Sequence, residues 1–477
     1  MVKLMFYSFS NTFFFFNEVA KELKEKAEIA FIFPRGHYLR QSSKNVKKYY
    51  LYENFGETYK KSSIKNKTSL KKDNIYKIIE CDKNETDNQG YKSLDKNEQL
   101  KLVNTIYKIY KKFLEDFEPD YIVFPDVETV DGNILINICY EMGIEVVYTV
   151  HLRQLGTSFF SNSIYETLPS YFGSYNSEDI KKATFLVNNF FSLSSVNFLR
   201  KWNDKTLVKI RLKNFFERIK DSLKLSYGKE RFFRGEGQNF LYKVRTNLIY
   251  FVDKYRKFKF NNIHHRYFDI KTDQELDSLP KNFILFAMQV TPESSINSLE
   301  PYFIDQIRAI DLIRLNMPND FHIIVKEHPL MIGLRNSDYY KKLRKKAGII
   351  LVSPYVSTKE VMKRAKLIST ITGTIGLEGF IMDKPVLMFG PTFFSHLVKR
   401  YDSYLNLKQE LEELIFNFKP LSKEEKIIEI AKLYNISYNF ILFDPISNPE
   451  TMEIENVKSF TKALFEHIER LKNKANV

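Results

Sequence analysis

The sequence predicts an α/β protein of two doubly wound domains, each built on a parallel sheet. Short apolar segments typical of strands buried on both faces alternate with amphipathic helices through residues 1–174, and again through 281–440. A chain of 477 residues is also too long for one ordinary core. Because ligands of such sheets bind outside the carboxyl ends of the strands, we expect the two domains to face each other across a cleft.

The first domain is expected to open with a strand, a helix and a second strand, at Lys3–Phe9, Asn17–Lys26 and Ala27–Phe33. Between the first two elements, Ser10–Phe16 is expected to be a loop. Its four phenylalanines pack beside the sheet in one interpretation and form a membrane-contacting finger in the other. Arg40–Lys72 is Lys-rich and lacks apolar periodicity, so we expect a long surface insertion there.

A second strand–helix–strand unit follows the strong amphipathic helix predicted at Ser93–Phe117. Its first strand ends at Pro125 in an acidic loop, and its second strand ends near two basic side chains. The candidate acid–base residues of the loop are Asp126, Glu128 and Asp131, and the candidate acceptor-binding residues are His151 and Arg153. A carboxylate can deprotonate a hydroxyl or act as a nucleophile, although any of the three could simply cap the next helix.

Residues 175–280 differ from the flanking domains, because aromatic and basic side chains are interleaved at helical spacing with few glycines. We expect a helical insertion or linker. One interpretation packs it on the two α/β domains, and the other presents basic amphipathic helices to an anionic membrane or acceptor. Residues 441–477 end in an amphipathic helix that we expect to pack back on the first domain.

The second domain has a strand, turn, helix and strand in KLISTITGTIGLEGFIMDKPVLMFG, residues 366–390. Helix starts at the carboxyl ends of parallel strands present free N–H groups that suit anions. Loops that end three strands should gather at this edge. The candidate donor-site residues are Pro292, Glu293, Ser294, Ser295, Lys326, Glu327, His328, Pro329, Thr372, Gly373, Thr374 and Glu378. This set of hydroxyls, a lysine and a histidine suits a phosphate or diphosphate, with Glu378 in reach of a sugar hydroxyl.

Composition narrows the class of ligand. The net charge of +15 is not accompanied by any nucleic-acid-binding motif, so we expect anionic surfaces or ligands and no nucleic acid. Two cysteines without metal spacing indicate the reducing cytosol. Neither a signal peptide nor a run of about 18 apolar residues is present, so we expect a cytoplasmic protein, either free or peripheral on the inner face of the membrane. With no Asp-x-Asp pair after a strand, no catalytic metal or other cofactor is expected.

Four segments of the second domain carry a resemblance to a known family: FAMQVTPESS at 286–295, VKEHP at 325–329, TGTIGLEG at 372–379 and KPVLMFG at 384–390. Together they are similar to capsule polysaccharide biosynthesis glycosyltransferases, which include Kdo-transferring enzymes and adopt the two-Rossmann-domain GT-B fold. The resemblance covers residues 283–391 well and the first domain loosely. It implies a nucleotide-sugar donor and a glycan or lipid-linked glycan acceptor.

The His-Pro pair also resembles that of bacterial sialyltransferases, where the histidine contacts the CMP phosphate, and this implies that role for His328. Those enzymes carry two acidic residues before a glycine, whereas this chain has Val130-Asp131-Gly132. The catalytic carboxylate therefore stays open among the three candidates. Similar strand–Gly–helix–Glu patterns occur in UDP-GlcNAc 2-epimerases, so a nucleotide-sugar epimerase and a non-catalytic glycan-binding protein for capsule assembly remain alternatives. The donor, the linkage and the oligomeric state are not determined by the sequence.

Overall fold

The computed structural model describes most of two separate units. The described residues are 1–8, 12–34, 46–62, 75–80, 95–125, 127, 129–193, 265–291, 293–331, 335–443, 445 and 448–475. The first unit consists of Met1–Asp82, Asp87–Gln238 and Glu429–Val477, and the second of Lys83–Thr86 and Asn239–Ile428. Most of the expected helical insertion, residues 194–264, lies outside the described residues.

The first unit contains a six-stranded sheet. Its strands are β1 Val2–Tyr7, β2 Ala27–Phe33, β3 Lys47–Tyr50, β4 Tyr121–Phe124, β5 Glu145–Leu152 and β6 Thr157–Ser161. They are arranged in the order β3-β2-β1-β4-β5-β6, all parallel except β6, which pairs antiparallel with β5. The strands β2 and β3 thus extend the sheet on one side of β1, and β4, β5 and β6 extend it on the other side.

Helices of the first unit connect these strands. They are α1 Thr12–Glu22, α2 Leu51–Lys61, α3 Ile75–Glu80, α4 Lys96–Phe117, α5 Val130–Met142 and α6 Ser177–Asn189. The α4 helix starts with a capping box, since the Asp95 side chain accepts from the backbone N–H of Glu98 and the Glu98 side chain accepts from that of Asp95. The α5 helix starts at Thr129, whose hydroxyl accepts from Gly132 N–H, and ends at Gly143 in the left-handed conformation.

Two local expectations for the first unit were wrong. Phe13–Phe16 belong to α1 rather than to a loop, and Phe13, Phe15 and Phe16 are buried, which excludes an exposed finger made of these three rings. The expected surface insertion at 40–72 contains β3 and α2, because Tyr49 packs on Phe113 of α4 and Tyr50 stacks on Phe33. Tertiary contacts with distant aromatic residues thus provide the burial that the local sequence pattern lacked.

The second unit repeats the same arrangement of strands. Its strands are β7 Phe283–Ala287, β8 His322–Lys326, β9 Ile349–Val352, β10 Leu367–Thr370, β11 Val386–Met388 and β12 Lys399–Arg400. All are parallel, in the order β12-β11-β10-β7-β8-β9. Counted from its own first strand, each sheet has the order 3-2-1-4-5-6, which defines a doubly wound fold. The predicted fold class of two Rossmann-like domains is confirmed.

Helices of the second unit are mostly short. They are α7 Ser294–Asn297, α8 Ile307–Asn316, α9 Ser337–Arg344, α10 Thr358–Arg364, α11 Ile375–Ile381, α12 Tyr404–Glu412 and α13 Lys423–Ile436. The division between the two units falls inside α13, at Glu429. The α11 helix approaches the sheet closely: a Cβ on Gly379 would lie 2.7 Å from Cγ2 of Val386 and 3.0 Å from Cδ1 of Ile368.

The last helix, α14 at Ile454–Ala475, belongs to the first unit and covers its sheet. Its Phe460 packs edge-on against Phe15 of α1 and Phe160 of β6, with ring centroids 5.1 and 5.5 Å apart. These rings belong to one continuous core with the inner faces of β1 and β2. Residues more than 400 positions apart in sequence therefore share the core of the first unit.

We expect Gly379→Ala to lower the stability of the second unit by about 1–3 kcal/mol, because the added methyl overpacks the α11–sheet contact. The matched control is Gly56→Ala in α2, where no atom lies within 4 Å of the new Cβ. That change should be neutral or stabilising, since alanine favours the helix over glycine. Urea denaturation of both variants is the measurement, and equal effects would contradict the close α11 contact.

Acid should destabilise the first unit through His467 of α14. This imidazole is 1% exposed, its Nδ1 lies 2.9 Å from the Tyr171 hydroxyl, and burial together with nearby Arg470 lowers its pKa from 6.5 to about 3. Between pH 6.5 and 3 the unfolded chain binds a proton that the folded unit does not, so stability falls as the pH falls from 6.5.

Relative to His467→Asn, the wild type should lose on the order of 2 kcal/mol of unfolding free energy between pH 7 and pH 5. Urea denaturation of both proteins at each pH measures this difference. The asparagine amide keeps a polar group near Tyr171 and removes the titration. If the difference in unfolding free energy between the wild type and His467→Asn does not change with pH, His467 is not held neutral in the folded unit.

Candidate functional site

The carboxyl edge of the second sheet, between β7 and β10, is the candidate functional site. In a sheet of this order, the loops of these two strands diverge and leave a crevice where ligands bind. Gln289 lies two residues beyond the end of β7, and Thr372 lies two residues beyond the end of β10. Both side chains are buried.

Gln289 joins these two loops through its side-chain amide. Its Oε1 accepts from Thr372 N–H at 2.7 Å, and its Nε2 donates to the Thr372 hydroxyl at 3.1 Å. That hydroxyl in turn donates to the carbonyl of Ser295 at 2.7 Å. Each group in this chain of hydrogen bonds acts in its proper role, so the orientation of the amide is determined by its partners.

The backbone of Gln289 is held as firmly as its side chain. Its N–H donates to Oε1 of Gln306 at 2.9 Å, and its carbonyl accepts from Nε2 of Gln306 and from the Arg335 guanidinium, each at 2.9 Å. Gln306 is fully buried. The loop after β7 is therefore fixed by side chains from two later segments of the chain.

The carboxylate of Glu327, at the start of the loop after β8, is bonded to groups inside the protein. It is 2% exposed, and its Oε2 accepts from Arg335 Nε at 2.8 Å and from the Tyr340 hydroxyl at 2.7 Å. Its Oε1 accepts from the N–H of His328 at 2.7 Å. The structure thus places this candidate donor-site carboxylate in a buried ion pair.

His328 has a defined tautomer when it is neutral. Its Nδ1 accepts from Leu330 N–H at 3.2 Å, so the proton of the neutral ring is on Nε2. The side chain is partly exposed, and Pro329 begins a single 3-10 turn that ends at Met331. In the neutral ring, Nε2 is therefore the nitrogen that donates.

Lys326, the last residue of β8, is 4% exposed and turns its amine inwards. The Nζ donates to the carbonyl of Pro354 at 3.1 Å and lies 3.5 Å from that of Ser353. Burial lowers the pKa of this amine from 10.5 to about 8, and the nearby carboxylate of Glu327 opposes part of the shift. Lys326 thus ties the loop after β9 to the end of β8.

The turn after β10 is closely packed. A Cβ on Gly373 would lie 2.7 Å from the hydroxyl oxygen of Thr370, so only glycine fits without a shift. Thr374 occupies the N-cap position of α11 in a right-handed helical conformation and makes no side-chain capping hydrogen bond. Glu378 lies in the first turn of α11 and is partly exposed.

The loop after β7 contains the remaining candidates. The Ser295 hydroxyl donates to the Glu293 carboxylate at 3.0 Å, and Glu293 N–H lies 3.4 Å from Oδ1 of Asn297. Pro292 lies outside the described residues, as does the side chain of Ser294. The side chains of Ser295 and Asn297 thus form hydrogen bonds within the loop, both with Glu293.

In the first unit, Asp131 lies at the equivalent position, between the ends of β1 and β4. It is 5% exposed, and its Oδ2 accepts from the hydroxyls of Tyr7 at 2.8 Å and Tyr110 at 3.3 Å. Tyr7 is the last residue of β1, and Asp131 is in the first turn of α5. Asp126 and Glu128 lie outside the described residues.

The two candidate acceptor-binding residues differ in exposure. The His151 ring nitrogens lie 2.9 Å from the Ser158 hydroxyl and 2.9 Å from the carbonyl of Leu442, and burial with nearby Arg153 lowers the pKa of this histidine to about 4. His151 therefore joins β5 to the C-terminal segment of the first unit. Arg153 is exposed in the turn between β5 and β6.

Two features are absent from the described residues. They contain no group of three or more histidine, cysteine or acidic side chains placed to hold a metal ion. Within the same part of the chain, every helix is too short or too polar to cross a membrane.

Comparison with known protein families gives a match over part of the chain. Residues 239–404 match the sequence model of a family described as capsule polysaccharide biosynthesis protein. This match contains all of β7–β12 and confirms the resemblance inferred from the four motifs. No curated protein matches the chain.

Three of the solved structures that resemble this chain are distant from it in sequence. The β-Kdo 2,7-transferase and the β-Kdo 2,4-transferase of Thermosulfurimonas dismutans KpsC are each 12% identical, with TM-scores of 0.31 and 0.36. The matches cover 74% and 72% of this chain and 89% and 87% of those chains. The UDP-GlcNAc 2-epimerase from Neisseria meningitidis bound to UDP-GlcNAc is 13% identical, covers 98% of this chain and 100% of that chain, and has a TM-score of 0.27.

Sequence reasoning missed several residues that organise this edge. Gln289 was within reach, since it lies in the FAMQVTPESS motif immediately after a predicted strand. Arg335 and Gln306 gave no comparable signal, because their roles come from contacts across separate loops. Tyr7 and Tyr110 were read only as strand and helix residues, and their hydroxyls meet Asp131 through the fold.

The stability of the second unit should depend on Lys326 in alkaline solution. Between pH 8 and about 10.5, the unfolded chain keeps a proton on this amine that the folded unit has lost. The wild type should therefore gain on the order of 2 kcal/mol of unfolding free energy relative to Lys326→Met between pH 7.5 and 9.5. Urea denaturation of both proteins across this range is the measurement, and parallel pH profiles would exclude a buried, weakly basic amine.

Proposed function

We propose that this protein is a glycosyltransferase that moves a sugar from a nucleotide-activated donor onto a capsule or other cell-surface polysaccharide. The observation that carries the proposal is the position of the family match. Residues 239–404 include the complete polar network at the crevice between β7 and β10, where a doubly wound sheet binds its ligand.

The second unit would bind the donor. The loop after β8 at its crevice contains His328, whose neutral tautomer carries a donor on Nε2. Such a donor, or the imidazolium with both nitrogens protonated, would stabilise the charge that develops on the leaving phosphate. Glu327 does not oppose an anion strongly here, because Arg335 neutralises it. The proposal assigns this stabilisation to protein groups and includes no metal.

The first unit would bind the acceptor and supply a carboxylate. Asp131 is the described candidate, and Asp126 is the second one. In a single displacement, the carboxylate takes the proton of the acceptor hydroxyl as that oxygen attacks the sugar, while the nucleotide leaves with the bonding electrons. The Tyr7 and Tyr110 hydroxyls hold one oxygen of Asp131, which leaves the other oxygen as the proton acceptor in this scheme.

The acceptor would be a glycan or a lipid-linked glycan at the cytoplasmic face of the membrane. The net charge of +15 favours association with anionic glycans or anionic lipid surfaces.

The test is a thermal-shift titration of the wild type and His328→Ala with CMP, CDP, UDP and GDP. A nucleotide at about 100 times its dissociation constant should stabilise the folded protein by about 2.7 kcal/mol. We expect one nucleotide to raise the melting temperature of the wild type and to lose most of that effect in His328→Ala. His328→Gln, which keeps a terminal N–H donor, should recover part of the shift.

The control is His322→Ala, which changes the same residue type at the opposite end of the same strand. It should leave the nucleotide-induced shift unchanged. A response to CMP would favour a CMP-Kdo or CMP-sialic acid donor, and a response to UDP or GDP would favour a hexose donor. Absence of any shift in the wild type would refute the donor site. If NMR shows that the protein forms an epimer from a free nucleotide sugar, 2-epimerisation would replace sugar transfer as the proposed reaction.

A further inference from the structure

We infer that Gln289 is a positioning residue of the donor site, acting through Thr372, and this inference rests on the proposed function. Neither residue is proposed to contact the reacting atoms. The hydrogen bonds of Gln289 would set the loop after β7 and the turn after β10 in the geometry that receives a nucleotide diphosphate.

The first argument is location. The crevice of the second sheet opens between β7 and β10, and Gln289 spans it from the end of one strand to the turn after the other. The distance from Gln289 Oε1 to Thr372 N is 2.7 Å, so the two loops touch at this point. A change of Gln289 therefore acts on both walls of the crevice together.

The second argument is that the one proton of the Thr372 hydroxyl is donated inside the protein. It accepts from Gln289 Nε2 and donates to the carbonyl of Ser295. A hydroxyl has one proton to donate, so this side chain cannot also donate to a phosphate without breaking its bond to Ser295. Its contribution to the site is therefore the placement of Gly373 and of the backbone around Ser295.

The third argument is that the anchor itself is rigid. Gln306 binds both backbone groups of Gln289, and Arg335 binds its carbonyl while paired with Glu327. Because the backbone of Gln289 is held in this way, its side chain determines the position of Thr372 and does not adjust to it. Supporting hydrogen bonds of this kind determine whether a binding site is preformed.

The experiment compares the dissociation constants of the nucleotide that stabilises the wild type, measured by isothermal titration calorimetry on the full chain. Gln289→Met keeps the length of the side chain and removes both of its hydrogen bonds with Thr372, and Thr372→Val removes the hydroxyl at nearly constant volume. We expect each to raise the dissociation constant at least tenfold. Thr372→Ser keeps the hydroxyl and should stay within about threefold of the wild type.

Ser369→Ala is the control for a purely structural effect. Ser369 is the penultimate residue of β10, is fully buried, and donates to the carbonyl of Leu387 at 2.9 Å, which lies in β11 and is not part of the Gln289–Thr372 link. Its loss should lower the melting temperature and leave the dissociation constant within twofold. If Gln289→Met fails to fold, Thr372→Val decides the question.

Hydrogen exchange provides a readout that does not require ligand. Peptides containing Ser295 and Thr372 should exchange faster in Gln289→Met than in Ser369→Ala, because the link between the two loops is lost. Unchanged exchange in these peptides, or wild-type affinity in both Gln289→Met and Thr372→Val, would overturn the inference. If the wild type binds none of the four nucleotides, the proposed function fails and the inference fails with it. If the wild type binds a nucleotide and only the variants depart from these expectations, the proposed function stands and the inference alone fails.

Discussion

The buried ion pair of Glu327 and Arg335 is the interaction on which the carboxyl edge of the second sheet depends. The two side chains are 1% and 6% exposed, so both charges have given up most of their hydration. Such a pair is tolerated only when further hydrogen bonds complete it. Here the carboxylate also accepts from Tyr340 and from His328 N–H, while the guanidinium also donates to the carbonyl of Gln289. The pair thus sets the loop after β7 and the loop after β8 at once, and loss of either partner would leave an unpaired charge in the core.

Three lysines of the second unit donate hydrogen bonds to backbone carbonyl groups inside the fold. Lys326 donates to the carbonyl of Pro354, Lys384 donates to that of Ala365 after α10, and Lys426 donates to that of Ile381 at the end of α11. Helix ends leave carbonyl groups without partners, and an amine can satisfy them. Lys426 is 3% exposed and also pairs with Asp383, which has a positive φ. Part of the positive charge of +15 therefore stabilises the fold and is not presented to a partner.

Local periodicity was enough to predict the two-domain α/β class, because strands such as Phe283–Ala287 and the helix Lys96–Phe117 carry their pattern in consecutive residues. The structure of Phe13–Phe16 could not be predicted in this way, since the helix of these rings is stabilised by Phe460 at the far end of the chain. At the site, sequence identified the loops but not the direction of the side chains. Lys326 and Glu327 were expected to face a ligand, and they face the protein because Pro354 and Arg335 arrive from other loops. No local pattern records such partners.

The two units share one strand order but differ in the side chains at the crevice, and under the proposed function this difference suits a division of labour. The loop after β8 at the second crevice contains His328, whose neutral tautomer carries a donor on Nε2, and the carboxylate of Glu327 beside it is neutralised by Arg335. The first crevice holds the buried carboxylate of Asp131, whose Oδ2 accepts from the hydroxyls of Tyr7 and Tyr110. A hydrogen-bond donor suits a phosphate, and a carboxylate suits a hydroxyl that must lose a proton. The proposed function therefore puts the donor at the second unit and the acceptor at the first.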